Sequence, residues 1–301
     1  MSAPRSYRFL EGEPVPDALR RIAHGRIDHA VAELRGETDG SPADAVHEAR
    51  KDMKKLRALL RLARDELGED VYRRENECFR DAARRLSGVR DADVMLDTLG
   101  SLGRPFPALR DALKAHRRGE RSVADAEGVV AVLTDARARV DVWPLRRDDF
   151  GAMEGGLRRI YRRGRRAIEA VEEQPATEDL HEWRKREKDL WHHLTLFRES
   201  WPELLKTTAD EAHALSDRLG DDHDLAVLQE WTQENVGPLV GFDDAVEERR
   251  LELQHDALHL GRRLYAERPG AFVARLRGYW EAWSPAQSEQ SPVTTSSAAA
   301  G

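Results

Sequence analysis

Val46-His47-Glu48-Ala49-Arg50-Lys51-Asp52-Met53-Lys54-Lys55-Leu56 is written a second time as Leu180-His181-Glu182-Trp183-Arg184-Lys185-Arg186-Glu187-Lys188-Asp189-Leu190. Both copies read apolar-His-Glu-x-Arg-Lys-x-x-Lys-x-Leu. The apolar residues around them recur at three- and four-residue spacing, the period of an amphipathic helix. On a helical wheel His47, Arg50, Lys51, Lys54, Arg57 and Arg61 fall on one side, and Val46, Met53, Leu56, Leu59 and Leu60 on another. The second copy sets His181, Arg184, Lys185, Lys188 and His192 against Leu190, Leu194 and Phe197.

Further out the repetition continues. Leu86-Ser87-Gly88-Val89-Arg90-Asp91-Ala92-Asp93-Val94 pairs with Leu219-Gly220-Asp221-Asp222-His223-Asp224-Leu225-Ala226-Val227, and Leu19-Arg20-Arg21-Ile22 pairs more weakly with Leu157-Arg158-Arg159-Ile160. Three matches in one order predict duplication of a whole helical unit, with the boundary near Trp143-Pro144. The expected organisation is an N-terminal extension over 1–16, helical halves over 17–142 and 143–283, and a tail over 284–301. That tail is Ser, Thr, Ala, Pro and Gln with almost no charge, so disorder is expected there.

The rest of the chain is helical in pattern as well. Of 301 residues, 35% are charged and only 6% aromatic, a balance that favours amphipathic helices over sheets. Helices are predicted over 16–35, 42–66, 69–86, 90–100, 105–118, 122–139, 147–173, 176–199, 203–218, 222–234, 243–266 and 269–282. Breaks fall at Gly and Pro positions, Gly68, Gly88 and Gly220 among them. Asp91, Asp93, Asp221, Asp222 and Asp224 follow two of these breaks and are expected to cap helices and pair with basic residues. The fold class read from the chain is all-α.

A single cysteine, Cys78, excludes an intramolecular disulfide and any Cys-rich zinc site. No apolar run approaches membrane-spanning length, and residues 1–13 lack a basic-then-apolar signal pattern. A cytoplasmic protein is expected. The net charge is −7, so any basic surface must be local.

Charged helix faces are commonly only solvated surface. Here acids are sparse within the motif faces, like charges accumulate, and the arrangement occurs twice. Accumulated charge of one sign repels itself unless a counter-ion relieves it. A third run, Arg158, Arg159, Arg162, Arg163, Arg165 and Arg166, surrounds the apolar line Leu157, Ile160, Tyr161 and Ile168 with no acid within it. Arg suits phosphate because its planar fork donates two parallel hydrogen bonds. The expected ligand is therefore a polyanion. Metal binding at His47 or His181 is disfavoured by their basic neighbours, and His192-His193 point apart on a helix. No Walker loop, Gly-x-Gly-x-x-Gly, Gly-x-Ser-x-Gly or His-Glu-x-x-His occurs, and no nucleophile sits beside an evident base. No enzyme activity and no cofactor are expected.

The doubled His-x-x-Arg-Lys-x-x-Lys-x-Leu phrases, each followed by a turn of Leu-Gly-x-x-(Arg/His)-Asp type, resemble the CHAD family, the conserved-histidine α-helical domain. The resemblance covers about 18–283. It implies two largely four-helix bundles related by a pseudo-two-fold axis around a basic cavity. It further implies binding of inorganic polyphosphate, association with polyphosphate granules in some members, and a binding role instead of catalysis. Carried onto this chain, the family's histidines fall on His47 and His181. Its basic positions fall on Arg50, Lys54, Arg57, Arg184 and Lys188, with Arg90 in the first turn motif. The run Tyr161 to Arg166 looks like the family's first helix of the second half. The chain departs from the pattern at Trp191-His192, where members often have Arg-Tyr, and at Ser87-Gly88. Members often follow a triphosphate-tunnel domain; only Met1 to Pro16 precedes the helices here, and Glu11 and Glu13 do not make its carboxylate set.

The expected function is thus polyphosphate binding in a groove shared by both halves. The residues assigned to it are His47, Arg50, Lys51, Lys54, Arg57, Arg61, Arg90, Arg158, Arg162, Arg165, Arg166, His181, Arg184, Lys185 and Lys188. Nucleic-acid binding through the same groove is the alternative, and a phosphate-handling enzyme using the motif histidines a third reading. Oligomeric state is left open.

Overall fold

The computed structural model describes residues 6–86, 91–119 and 125–284. Among them are eleven α-helices, one 3-10 turn and no strand, as the all-α expectation requires. The helices are α1 (Val15–Leu34), α2 (Pro42–Leu62), α3 (Arg64–Arg85), α4 (Asp91–Ser101), α5 (Pro107–Gly119), α6 (Ala126–Val140), α7 (Gly151–Glu173), α8 (Thr177–Phe197), α9 (Pro202–Asn235), α10 (Phe242–Leu264) and α11 (Pro269–Trp283); the 3-10 turn is Arg198–Ser200. Of the tail expected to be disordered, 284–301, all but Ser284 lies outside the described residues, as do Gly88 and Arg90.

Local chemistry accounts for many of the boundaries. Ser41 and Asp44 close a capping box at the start of α2, with Pro42 in the first turn, where its missing N–H leaves no bond unmade. The Asp125 side chain accepts the Gly128 N–H at the start of α6. Gly68, at φ 74°, bends α3 near its beginning, a conformation that L side chains rarely adopt.

Helices α1, α2, α3 and α6 pack in a ring, and α7, α8, α9 and α10 form a second. The rings are joined where α2 lies on α7 and α8 and where α3 lies on α7. One apolar core runs through both, from Phe9, Ile22, Met53 and Leu56 to Tyr161, Trp183, Leu190 and Trp280. Helices α4 and α5 reach across to the other ring. Their Met95, Leu99, Leu109 and Leu113 close a second core with Leu225, Leu228, Phe242 and Val246.

The segment before α1 is more than an extension. Phe9 is fully buried, its ring centroid 5.2 Å from those of both Phe197 and Trp280, and its N–H donates to the Leu196 carbonyl at 3.0 Å. Tyr7 Oη donates to the Lys55 carbonyl at 3.1 Å. The segment therefore ties α2 to the C-terminal end of α8. Burying the Phe9 ring contributes roughly 2 kcal/mol.

Predicted boundaries shift at two places: the helix expected over 42–66 ends at Leu62, with α3 starting at Arg64, and one expected break is absent. A break was expected at Gly220, yet α9 runs unbroken through it. Gly220 is buried, and a Cβ there would lie 3.4 Å from the Arg184 guanidinium. That distance is ordinary van der Waals contact, so the helix carries the glycine through at a cost of about 1 kcal/mol of helix propensity. Asp221, Asp222 and Asp224 consequently lie mid-helix and cap nothing. Asp222 is buried and accepts from Arg250 Nε at 3.0 Å and Gln254 Nε2 at 2.8 Å. Asp93 instead pairs with Arg117 at 3.0 Å. No helix among the described residues is long and apolar enough to cross a membrane.

Candidate anion-binding site

Arg50, Lys54 and Arg57 stand at successive turns of α2 and so share a stripe. Across from them α3 presents Arg80 and Arg84, one turn apart. Together with Met53 and Ala83 these five cations line a cleft of about 260 Å³, and no carboxylate lines it. Asp81, at the cleft's edge, receives Arg80 at 2.8 Å and Arg84 at 3.5 Å. Arg57 Nε donates to Asn76 Oδ1 at 3.1 Å. Burial first, and the neighbouring Arg61 second, push Arg57 down to about 10. Loss of solvent and a like charge nearby both disfavour the charged guanidinium.

The two helices are anchored from behind by buried ion pairs. Asp52 is 1% exposed and takes Arg26 at 3.1 Å, His29 at 2.6 Å and Lys55 at 3.6 Å. Glu75 is fully buried and accepts two parallel bonds of 2.9 Å from Arg139. A carboxylate buried this deeply needs such partners. Their effect is to hold α2 against α1, and α3 against α6, with the cleft facing outward.

On α8 the corresponding stripe is His181, Arg184 and Lys188. His181 stacks on His223 of α9, ring centroids 4.6 Å apart and planes at 30°. Both imidazoles are held below the ordinary histidine value, by burial and then by cations: Lys185 and Arg184 for His181, Arg184 and His181 for His223. Lys188 is pushed down to about 8 by burial, Arg184 and Lys54, against the pull of Asp224 and Asp217. Lys54 of α2 is thus near enough to Lys188 of α8 for their charges to repel across the α2–α8 contact.

Several expected site residues stand elsewhere. Arg61 does not line the cleft; its Nη1 donates to Asp189 at 3.0 Å and locks α2 to α8. Lys51 pairs with Glu48 at 2.8 Å and Lys185 with Glu182 at 3.7 Å. His192, expected on the polar face, is 7% exposed, stacked on Trp191 and edge-on to Tyr7. The Arg run of α7 winds around the helix and meets acids of its own helix and of others. Arg158 binds Glu154 at 2.5 Å and Arg165 binds Glu169 at 3.1 Å, while Arg159 pairs with Asp65 and Arg163 with Glu182. Arg162 and Arg166 are exposed on α7. His47 is half-buried near the start of α2.

Arg80 and Arg84 were not anticipated. Their one-turn spacing is legible, but Asp81 between them disguises the stripe. Among the described residues no group of three or more His, Cys, Asp or Glu is placed to hold a metal ion. Cys78 is a free, half-buried thiol.

No curated protein matches the chain. A family model described as CHAD domain matches residues 21–233. That span contains both motif helices and every residue lining the cleft, and the chain belongs to the CHAD domain family.

Proposed function

We propose that this protein binds inorganic polyphosphate in the α2–α3 cleft, the polymer continuing past Lys54 toward Lys188 and Arg184. The observation that carries the reading is the cleft itself, five cations around one opening with no carboxylate among its lining residues. Arg50, Arg57, Arg80 and Arg84 donate charge-assisted hydrogen bonds to phosphate oxygens, and Lys54 and Lys188 add mobile point charges. Membership of the CHAD domain family agrees with a polyphosphate-related role. No bond is made or broken in this reading: the protein is a binding module that rides on polyphosphate granules.

Nucleic acid offers the same phosphates, but the cleft holds no aromatic side chain on which a base could stack. The test is a titration of long-chain polyphosphate beside single- and double-stranded DNA at matched phosphate concentration. Polyphosphate should bind more tightly, with affinity falling linearly in log–log against salt. Equal affinity for DNA, or a flat salt response, overturns the reading. Fluorescence imaging of the tagged protein tests the granule association.

A further inference from the structure

We infer that His255 and His259 on α10 form a chelating site for a transition-metal dication of the Zn²⁺ or Cu²⁺ kind. The two residues lie one turn apart, and on a helix that spacing stacks side chains on one face. The backbone between them is fixed, because Ala257 is fully buried in the main core and Leu260 nearly so. The two Nε2 atoms are 3.2 Å apart, with the ring planes at 76°. Imidazole binds zinc at about 2.0–2.1 Å, so an ion equidistant from both nitrogens subtends an angle of about 100–106°, close to tetrahedral.

The surroundings fit such an ion. His255 is 71% exposed and His259 is exposed, which leaves the remaining coordination positions to water. Asp256 Oδ1 lies 3.8 Å from His255 Nδ1, on the nitrogen that does not face the ion. A carboxylate on that side orients a ligating imidazole and raises its basicity. Of the nearby cations, Arg262 is matched by Glu172 at 2.6 Å and Arg218 by Asp256 at 3.8 Å, while Arg263, one turn beyond His259, is exposed. The other close histidine pair lacks this character: His181 and His223 stack instead of converging, and Arg184 and Lys185 repel a cation there. Without a metal, one imidazole N–H of the α10 pair donates to its partner, a bond worth little in contact with water. When a dication takes both Nε2 lone pairs as dative bonds, the donor ring carries its proton on Nδ1 instead, and imidazole suits copper and zinc over calcium or magnesium.

The test is Zn²⁺ titration calorimetry on the full chain without polyphosphate, with Cu²⁺ electron paramagnetic resonance as a second readout. One Zn²⁺ should bind per chain, and the Cu²⁺ spectrum should show two equivalent imidazole nitrogens. His255→Ala and His259→Ala should each lower Zn²⁺ affinity by about tenfold or more, the loss that even an outer-sphere partner commonly produces. The double variant should abolish the two-nitrogen signal while polyphosphate affinity and metal-free unfolding stay as in the parent. A double variant that binds Zn²⁺ and Cu²⁺ as tightly as the parent overturns the assignment.

Discussion

Counted by the spacing of the repeat, α8 carries Trp191 where α2 carries Arg57, and α9 carries His213 and Asp217 where α3 carries Arg80 and Arg84. In the first half these positions surround an open cationic cleft. In the second, Trp191 packs edge-on against His213, centroids 4.0 Å apart, and His213 Nδ1 lies 2.7 Å from Asp217. The contrast continues inside. Asp52 and Lys55 of α2 make a partly buried ion pair three residues apart; Arg186 and Asp189 of α8 make the same pair with its polarity exchanged. Met53, fully buried, corresponds to Glu187, also fully buried. The shared letters of the motif set an outward stripe of His, Arg and Lys in both halves. The unshared letters decide which stripe opens into a cleft. A repeated sequence therefore does not entail a repeated site.

The largest effect should come from reversing charge on the two sides of the cleft. Arg50→Glu with Arg84→Glu is expected to weaken polyphosphate binding by about a thousandfold, near 4 kcal/mol, two charge-assisted bonds being lost. Arg184→Glu, in the second copy, should cost about tenfold, one peripheral contact. Anisotropy titrations with labelled polyphosphate would measure both. Equal losses would mean that the halves share the ligand evenly, and the comparison would break.

Next in size is the buried acid that replaces Met53. Glu187 accepts from Tyr265 Oη at 2.7 Å, while its other oxygen is buried without a partner. Burial raises it to about 8 from an ordinary 4.5. The folded chain thus holds a proton that the unfolded chain releases, and stability falls as pH rises from about 5 to about 8. Glu187→Gln should remove that dependence and leave the variant more stable than the parent by about 3 kcal/mol at pH 8, relative to their difference at pH 5. Urea unfolding across this range tests it; parallel curves for the two proteins would assign the pH response to other groups.

A smaller gain is expected from Asp217→Arg, which gives the second half one of its missing cations. Affinity should rise by less than about tenfold, the worth of roughly 1 kcal/mol from one added contact. The slope of log affinity against log salt should steepen as another phosphate is neutralised. No change in slope would show that Asp217 lies off the polymer's path.

The mildest effect concerns the seam. Because Lys188 sits at about 8, its charge is lost as pH rises through that value, and polyphosphate affinity should fall with it. An anion restores the proton, so binding should take up protons at pH 8. Lys188→Arg, charged throughout, should flatten the decline. Calorimetry in two buffers of different ionisation heat would detect the uptake, and its absence would remove Lys188 from the binding path.

The helices and the motif stripes were legible in the sequence because both arise within one element. Apolar spacing of three and four decides which side of α2 faces Leu56 and Leu59, and the same arithmetic puts Arg50, Lys54 and Arg57 on the other. The capping box at Ser41 and Asp44 is equally local. No acid interrupts the α7 arginines along the chain, yet Asp65 of α3 and Glu182 of α8 meet Arg159 and Arg163 in space, pairings that the sequence does not display. Gly220 was read as a breaker from its low helix propensity, which the packing of the long α9 overrides.

The sequence by itself determined the all-α class, most helix limits and the two basic stripes, since these follow from propensity and side-chain period over a few turns. Only the tertiary structure decided which cations are left to face a ligand. Arg61 is consumed by Asp189, 128 residues away, whereas Arg80 and Arg84 are drawn to the cleft by the packing of α3 on α2. Charge pairing acts through a few ångströms of space, and separation along the chain carries almost no information about that distance.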